Sequence, residues 1–145
     1  MRIISTGIDL IECQRLRQVW ERHGEHLLDR LLTSAELAYV QSHRDFIPRL
    51  AGRFAAKEAI LKVLGTGWRG GIAWRDMEIL NDLAGSPSVT LTGECARIAG
   101  QLGITRILIS ITHTENFAAA TATGAQPAGS SAKSRPSSRA PAAAP

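Results

Sequence analysis

The stretch "RFAAKEAILKVLGTG", Arg53 to Gly67, has the apolar content of a buried helix and a glycine stop, yet it carries Arg53, Lys57, Glu58 and Lys62. At about 100° per residue, Leu50, Phe54, Ile60, Leu61, Val63 and Leu64 cover well over half of the circumference. Glu58 and Lys62, four positions apart, share a narrow flank with Ala51 and Ala55, while Arg53 and Lys57 fall inside the apolar sector. Two readings fit this pattern. In the first, Glu58 and Lys62 form an exposed pair contributing about 0.3–0.5 kcal/mol, and Arg53 and Lys57 reach water along their apolar stems. In the second, the cations face a concave site whose ligand supplies negative charge, because a buried cation without a partner is costly. Phosphates would serve the cations and the loop glycines together.

Around this segment the pattern predicts an α+β fold, with a largely antiparallel sheet, a long central buried helix and additional N-terminal helices. Pro48 suits the start of the central helix near Arg49, and Gly65 its end. "IISTGIDLI" alternates like a strand, with Ile4, Thr6, Ile8 and Leu10 expected on the core side and Ser5, Gly7 and Asp9 on a small polar side. Helices are expected in "ECQRLRQVWERH", with Leu16, Val19, Trp20 and His23 inward, and in "EHLLDRLL". A third opens at Thr33, where Thr33 and Glu36 have capping-box spacing. "DMEIL" and "SVTLT" form a hairpin around "NDLAGSP", "ECARIAGQL" is a short helix closed by Gly103, and "RILISITH" and "FAAATAT" pair as strands.

The chain has 145 residues, 44% hydrophobic and 21% charged, which suits one globular domain without a membrane span. No secretory signal is evident, so a cytoplasmic location is expected. Residues 1–124 read as the domain. Residues 125–145, rich in Ala, Pro and Ser, read as a disordered basic tail with nothing to bury. That tail holds Lys133, Arg135 and Arg139, leaving 14 basic against 13 acidic residues in the rest. The net charge of +4 therefore gives no reason to expect nucleic acid as a partner. Cys13 and Cys95 are far apart, without metal-ligand or disulfide spacing, and read as core thiols or bystanders.

"GTGWRG", Gly65 to Gly70, matches GxGxxG but follows a helix, whereas the dinucleotide fingerprint follows a strand, so a Rossmann site is rejected. A glycine loop still lets backbone amides approach a phosphate. Asp9 reads either as a helix cap or, with Glu58, as a pair of hard oxygen ligands for Mg²⁺. His113, between two threonines at a strand end, is a candidate phosphate donor or a structural histidine.

"GIDLIE", "RFAAKEAILKVLGTG" and "SITHT", in this order and spacing, together with "LLTSAEL" and the Gly85–Pro87 turn, closely resemble the holo-(acyl-carrier-protein) synthases. These are small 4′-phosphopantetheinyl transferases, and the likeness extends over nearly all of residues 1–124. The resemblance implies Mg²⁺-dependent transfer of phosphopantetheine from coenzyme A to a serine of apo acyl carrier protein for fatty acid biosynthesis, with adenosine 3′,5′-bisphosphate leaving. It implies that Asp9 and Glu58 hold the metal, that Lys62 charges the same oxygens, and that Glu58, directly or through a metal-bound water, accepts the serine proton. Arg53, Lys57, Gly65, Thr66, Gly67, His113 and Thr114 would line the nucleotide and phosphate region. Arg15 and Arg22 would face the acidic carrier, in a homotrimer whose sites lie between subunits. Val63 replaces a common alanine, Ser86 a common lysine, and the tail is an addition; none touches an implied ligand. The competing class is a non-catalytic binding module, against which the intact Asp9, Glu58 and Lys62 argue.

Overall fold

The computed structural model describes residues 1–129. Strand β1 (Arg2–Glu12) leads into helices α1 (Cys13–His23), α2 (Glu25–Leu31), α3 (Ser34–Gln41) and α4 (Ile47–Leu64). A hairpin of β2 (Met77–Asn81) and β3 (Pro87–Leu91), helix α5 (Gly93–Leu102), and strands β4 (Arg106–His113) and β5 (Phe117–Gln126) complete the chain. The strands form one sheet of order β1-β5-β4 and the separate β2-β3 pair, with every pairing antiparallel. The expected α+β architecture, central helix, capping box and hairpin are all present.

Helix α4 lies across the inner face of the three-stranded sheet, packed on β1, β5 and β4. Proline in the first turn starts it without wasting an amide, and Gly65, in the left-handed region at φ 74°, ends it by donating to Leu61 and Lys62 carbonyls. Its sheet-facing stripe is made of small residues: Gly52, Ala55 and Ala59 are fully or nearly fully buried, opposite Ala118, Ala120 and Ala122 of β5. This lets the helix backbone approach the strands closely.

Ile4 packs against the core as expected, but beyond the register shift between Ile3 and Ser5 strand β1 alternates with its faces reversed from expectation. Ser5, Gly7 and Asp9 turn toward α4, while Ile8 and Leu10 are 63% and 64% exposed. Close approach is the reason: a Cβ at Gly7 would lie 2.2 Å from the Ala59 carbonyl oxygen, so only the small face fits against the helix. Ser5 Oγ donates to the Val63 carbonyl across the same seam at 2.8 Å. On β4, Ile107, Ile109 and Ile111 are the inward set. In α1, Leu16 is buried and Trp20 packs edge-on against Phe46, but Val19 and His23 are exposed, because the helix lies on the core by a narrower stripe than expected.

Ala125 and Gln126 are buried within β5, so the folded part continues past the boundary expected at Gly124; the remainder of the basic tail, 130–145, lies outside the described residues. Cys13 and Cys95 are buried free thiols, and burial pushes Cys95 up to about 11. No described helix is long and apolar enough to cross a membrane.

Candidate active site

The packing of β1 on α4 brings Asp9 from the strand together with Glu58 and Lys62 from the helix. Asp9 is on the inner face of β1, one residue beyond the exposed Ile8. Lys62 Nζ donates to the Ile8 carbonyl at 2.6 Å and meets Asp9 Oδ1 at 3.3 Å, with its side chain half exposed. Lys62 thus pairs across the seam with Asp9 instead of forming the Glu58 pair of the bland reading. The other Asp9 oxygen, Oδ2, is buried and has no hydrogen-bond partner. Nor does Asp9 cap a helix: α1 begins at Cys13, with Glu12 at the N-cap position and no side-chain cap.

Glu58 is half-buried one turn before Lys62. Burial raises its proton affinity, the neighbouring Asp9 charge raises it further, and Lys62 partly offsets both. Two carboxylates close enough to repel, one with an unpaired buried oxygen, form a donor set suited to a hard divalent cation. Among the described residues no group of three or more His, Cys, Asp or Glu side chains converges.

Arg53 and His113 meet at a second place. A cleft of about 100 Å³ is lined by Arg49, Arg53, Asn81, His113, Ile111 and Tyr39. Arg53 is buried, donates to Asn81 Oδ1 at 2.7 Å, and lies over the Tyr39 ring at 4.4 Å, leaving its Nε buried and unpaired. Arg49, Tyr39 and Asn81 escaped the sequence reading. Arg49 lies one turn before Arg53 on α4, which was the available signal, whereas Asn81 arrives through a long-range fold contact.

Lys57 does not join either place. Its side chain is completely buried, and Nζ donates to Leu31 O at 2.5 Å, Glu36 Oε1 at 2.7 Å and Trp74 O at 3.1 Å. All three ammonium protons are used inside the chain, so the expectation that Lys57 lines a phosphate site is corrected. Burial lowers its pKa while Glu36 opposes the change. Glu36 also accepts from the Thr33 and Ile79 amides at 3.0 and 3.2 Å, tying α3, α4 and β2 together.

The remaining candidates are distributed more simply. Gly65 and Gly67 both have positive φ, and Thr66 Oγ1 is buried without a partner beside them. Thr114 holds the β4–β5 turn, its Oγ1 accepting from the Phe117 amide at 3.1 Å. Arg15 and Arg22 are exposed on α1, and Arg15 borders an apolar groove with Leu16, Val19 and Phe54.

Comparison with known proteins matches residues 5–122 to the 4′-phosphopantetheinyl transferase superfamily. The chain belongs to the holo-[acyl-carrier-protein] synthase family. A synthase of this family from Solibacter usitatus is 46% identical over 112 residues, covering 77% of this chain and 90% of that protein. The crystal structure of the Neisseria meningitidis synthase superposes with a TM-score of 0.78 at 29% identity, covering 86% of this chain and all of that one. The Helicobacter pylori synthase in complex with coenzyme A gives 0.74 at 26% identity, over 83% of this chain and 100% of that chain. The orientation of β1 has a chemical consequence in this chain: it turns Asp9 toward α4, where its charge acts on Glu58.

Proposed function

We propose that this transferase moves 4′-phosphopantetheine from coenzyme A to a serine of an acidic apo acyl carrier protein that serves fatty acid synthesis. The observation that carries this reading is the convergence of Asp9, Glu58 and Lys62, with Asp9 Oδ2 buried and unpaired. Asp9 and Glu58 are the residues that would hold Mg²⁺, which when bound would reduce the pyrophosphate charge that repels an incoming hydroxyl. Lys62, braced by the Ile8 carbonyl and half exposed, presents a cation to phosphate oxygens at the same place. Glu58, half-buried at the same place, accepts the serine proton directly or through a water. The serine oxygen bonds to the β-phosphorus, the bond to the bridging oxygen breaks, and adenosine 3′,5′-bisphosphate departs with that electron pair.

The Arg49–Arg53–His113 cleft suits the outlying phosphate of the coenzyme nucleotide, since two guanidinium side chains and the His113 ring line it with no carboxylate among them. Exposed Arg15 and Arg22, beside the groove of Leu16, Val19 and Phe54, suit an acidic helix with an apolar stripe. The apolar outer face of the sheet, with Ile8 and Leu10 adjoining Asp9 and Lys62, supports assembly as a homotrimer with sites at the subunit contacts. Incubating the protein with coenzyme A, Mg²⁺ and apo carrier should add about 340 Da to the carrier, the mass of the transferred group. Absence of that gain, with an authentic synthase working in parallel, would overturn the proposal.

A further inference from the structure

The loop after α4 consists largely of backbone. Four of the seven residues from Gly65 to Gly71 are glycine, and among the described residues the amides of Gly67, Trp68, Arg69, Gly70 and Gly71 donate to no backbone or side-chain acceptor. Such a segment offers donors to an anion, but it has much conformational freedom to lose when it holds one. The large side chain that fixes it is Trp68. Its ring lies flat on Trp74, with centroids 4.6 Å apart and planes 6° from parallel. Trp74 in turn meets Phe54 edge-on at 5.3 Å, and the Arg30 guanidinium lies 5.7 Å from the Trp68 ring centre.

This ladder runs from the core to the surface: Trp74 is 8% exposed and Trp68 45%. Its inner rung is anchored, because the Trp74 carbonyl accepts from the buried Lys57 ammonium. Phe54, Trp74 and Arg30 also line an apolar groove with Leu16, Val19 and Leu27, which continues the groove bordered by Arg15. The glycine loop is therefore fastened to the floor of that groove through one indole.

We propose that Trp68 is a positioning residue for coenzyme A: stacked on Trp74, it holds the Gly67–Gly71 amides in place before the phosphates arrive. The inference rests on the transferase reading and adds to it a residue outside the charged set. Removing the stack leaves the core intact, since Trp68 is half exposed, and returns to the ligand the task of ordering the loop.

The test uses the full-length chain and measures KM for coenzyme A, KM for apo carrier, kcat, coenzyme A binding by calorimetry, and melting temperature. Trp68→Ala should weaken coenzyme A binding and raise its KM by on the order of tenfold, the scale of one lost aromatic pair. KM for the carrier and the melting temperature should stay near wild type, and Trp68→Phe should recover most of the loss. Coenzyme A constants in Trp68→Ala within about twofold of wild type would overturn the inference. So would a loss that tracks a fall in melting temperature and is not recovered by Trp68→Phe. A wild-type protein that neither binds coenzyme A nor modifies the carrier fails the transferase reading and this one together; normal wild-type transfer with an unaffected Trp68→Ala variant fails this one alone.

Discussion

Glu58 is half-buried on α4 opposite Asp9, and burial followed by that like charge raises its pKa above the ordinary carboxylate value. Because the folded value lies above the unfolded one, the stability Glu58 contributes is present below about pH 4.5 and is lost as pH rises through the folded value. Glu58→Gln removes the charge while keeping the shape. In the absence of divalent ion it should melt at the same temperature as wild type or higher at neutral pH, with the difference shrinking toward pH 4. Transfer to carrier should fall by roughly a hundredfold or more, since a preorganised charged group at the reacting phosphate is lost. Scanning calorimetry and a carrier mass assay read the two effects separately, and undiminished turnover removes Glu58 from the chemistry. The sequence showed which positions carried unusual charge, but not which charges were already neutralised. Lys57 and Lys62 belong to the same helix and looked alike as phosphate ligands. What separates them is Glu36, 21 residues before Lys57, which had been legible only as the second half of a capping box.

At the scale of elements, the site depends on how closely β1 can approach α4, and Gly7 sets that distance. A Cβ there meets backbone, the Ala59 carbonyl oxygen at 2.2 Å, whereas a Cβ at Gly124 meets the side-chain ends of Val63 and Ile104 at 2.7 and 2.8 Å. Backbone cannot rotate away, so Gly7→Ala should destabilise by about 3 kcal/mol or more and Gly124→Ala by about 1 kcal/mol, across the usual range for overpacking. Urea denaturation of the two variants checks the order; an equal or reversed cost would show that the seam is looser than described. The same contact explains what was misread in β1. Alternation in "IISTGIDLI" reveals two faces without saying which one is inside, and the usual assumption places the large apolar side chains in the core. Here the small face is inside because a helix backbone, not a side-chain layer, covers it. Helix ends, the hairpin and the strand character of β4 were legible because caps, turn residues and periodicity are local signals. The pairing of β1 with β5 was not, since nothing within either segment specifies a partner more than a hundred residues away.

For the whole molecule, inverting β1 leaves the chain with a surface that water should not cover. Ile8 and Leu10 of β1 share the outer face of the sheet with Phe117 of β5 and Leu108 of β4, all exposed, and the registers Ile8↔Thr121 and Leu108↔Thr123 make that face continuous. A contiguous apolar face of this kind points to a protein contact. The proposed homotrimer is its simplest occupant, because Ile8 and Leu10 also border the hollow containing Asp9 and Lys62, so a neighbour covering them would wall the reacting groups. Thr6→Lys combined with Leu108→Lys places two like charges on either side of Thr123, away from Asp9, Glu58 and Lys62. Burying them in a contact without partners is prohibitive. Light scattering should give about three times 15.6 kDa for the wild type and close to 15.6 kDa for the double variant, with coenzyme A transfer lost although each monomer still folds by circular dichroism. A wild type that is already monomeric at micromolar concentration and fully active would show that one chain closes its own site, and that the exposed face of β1 serves some other contact.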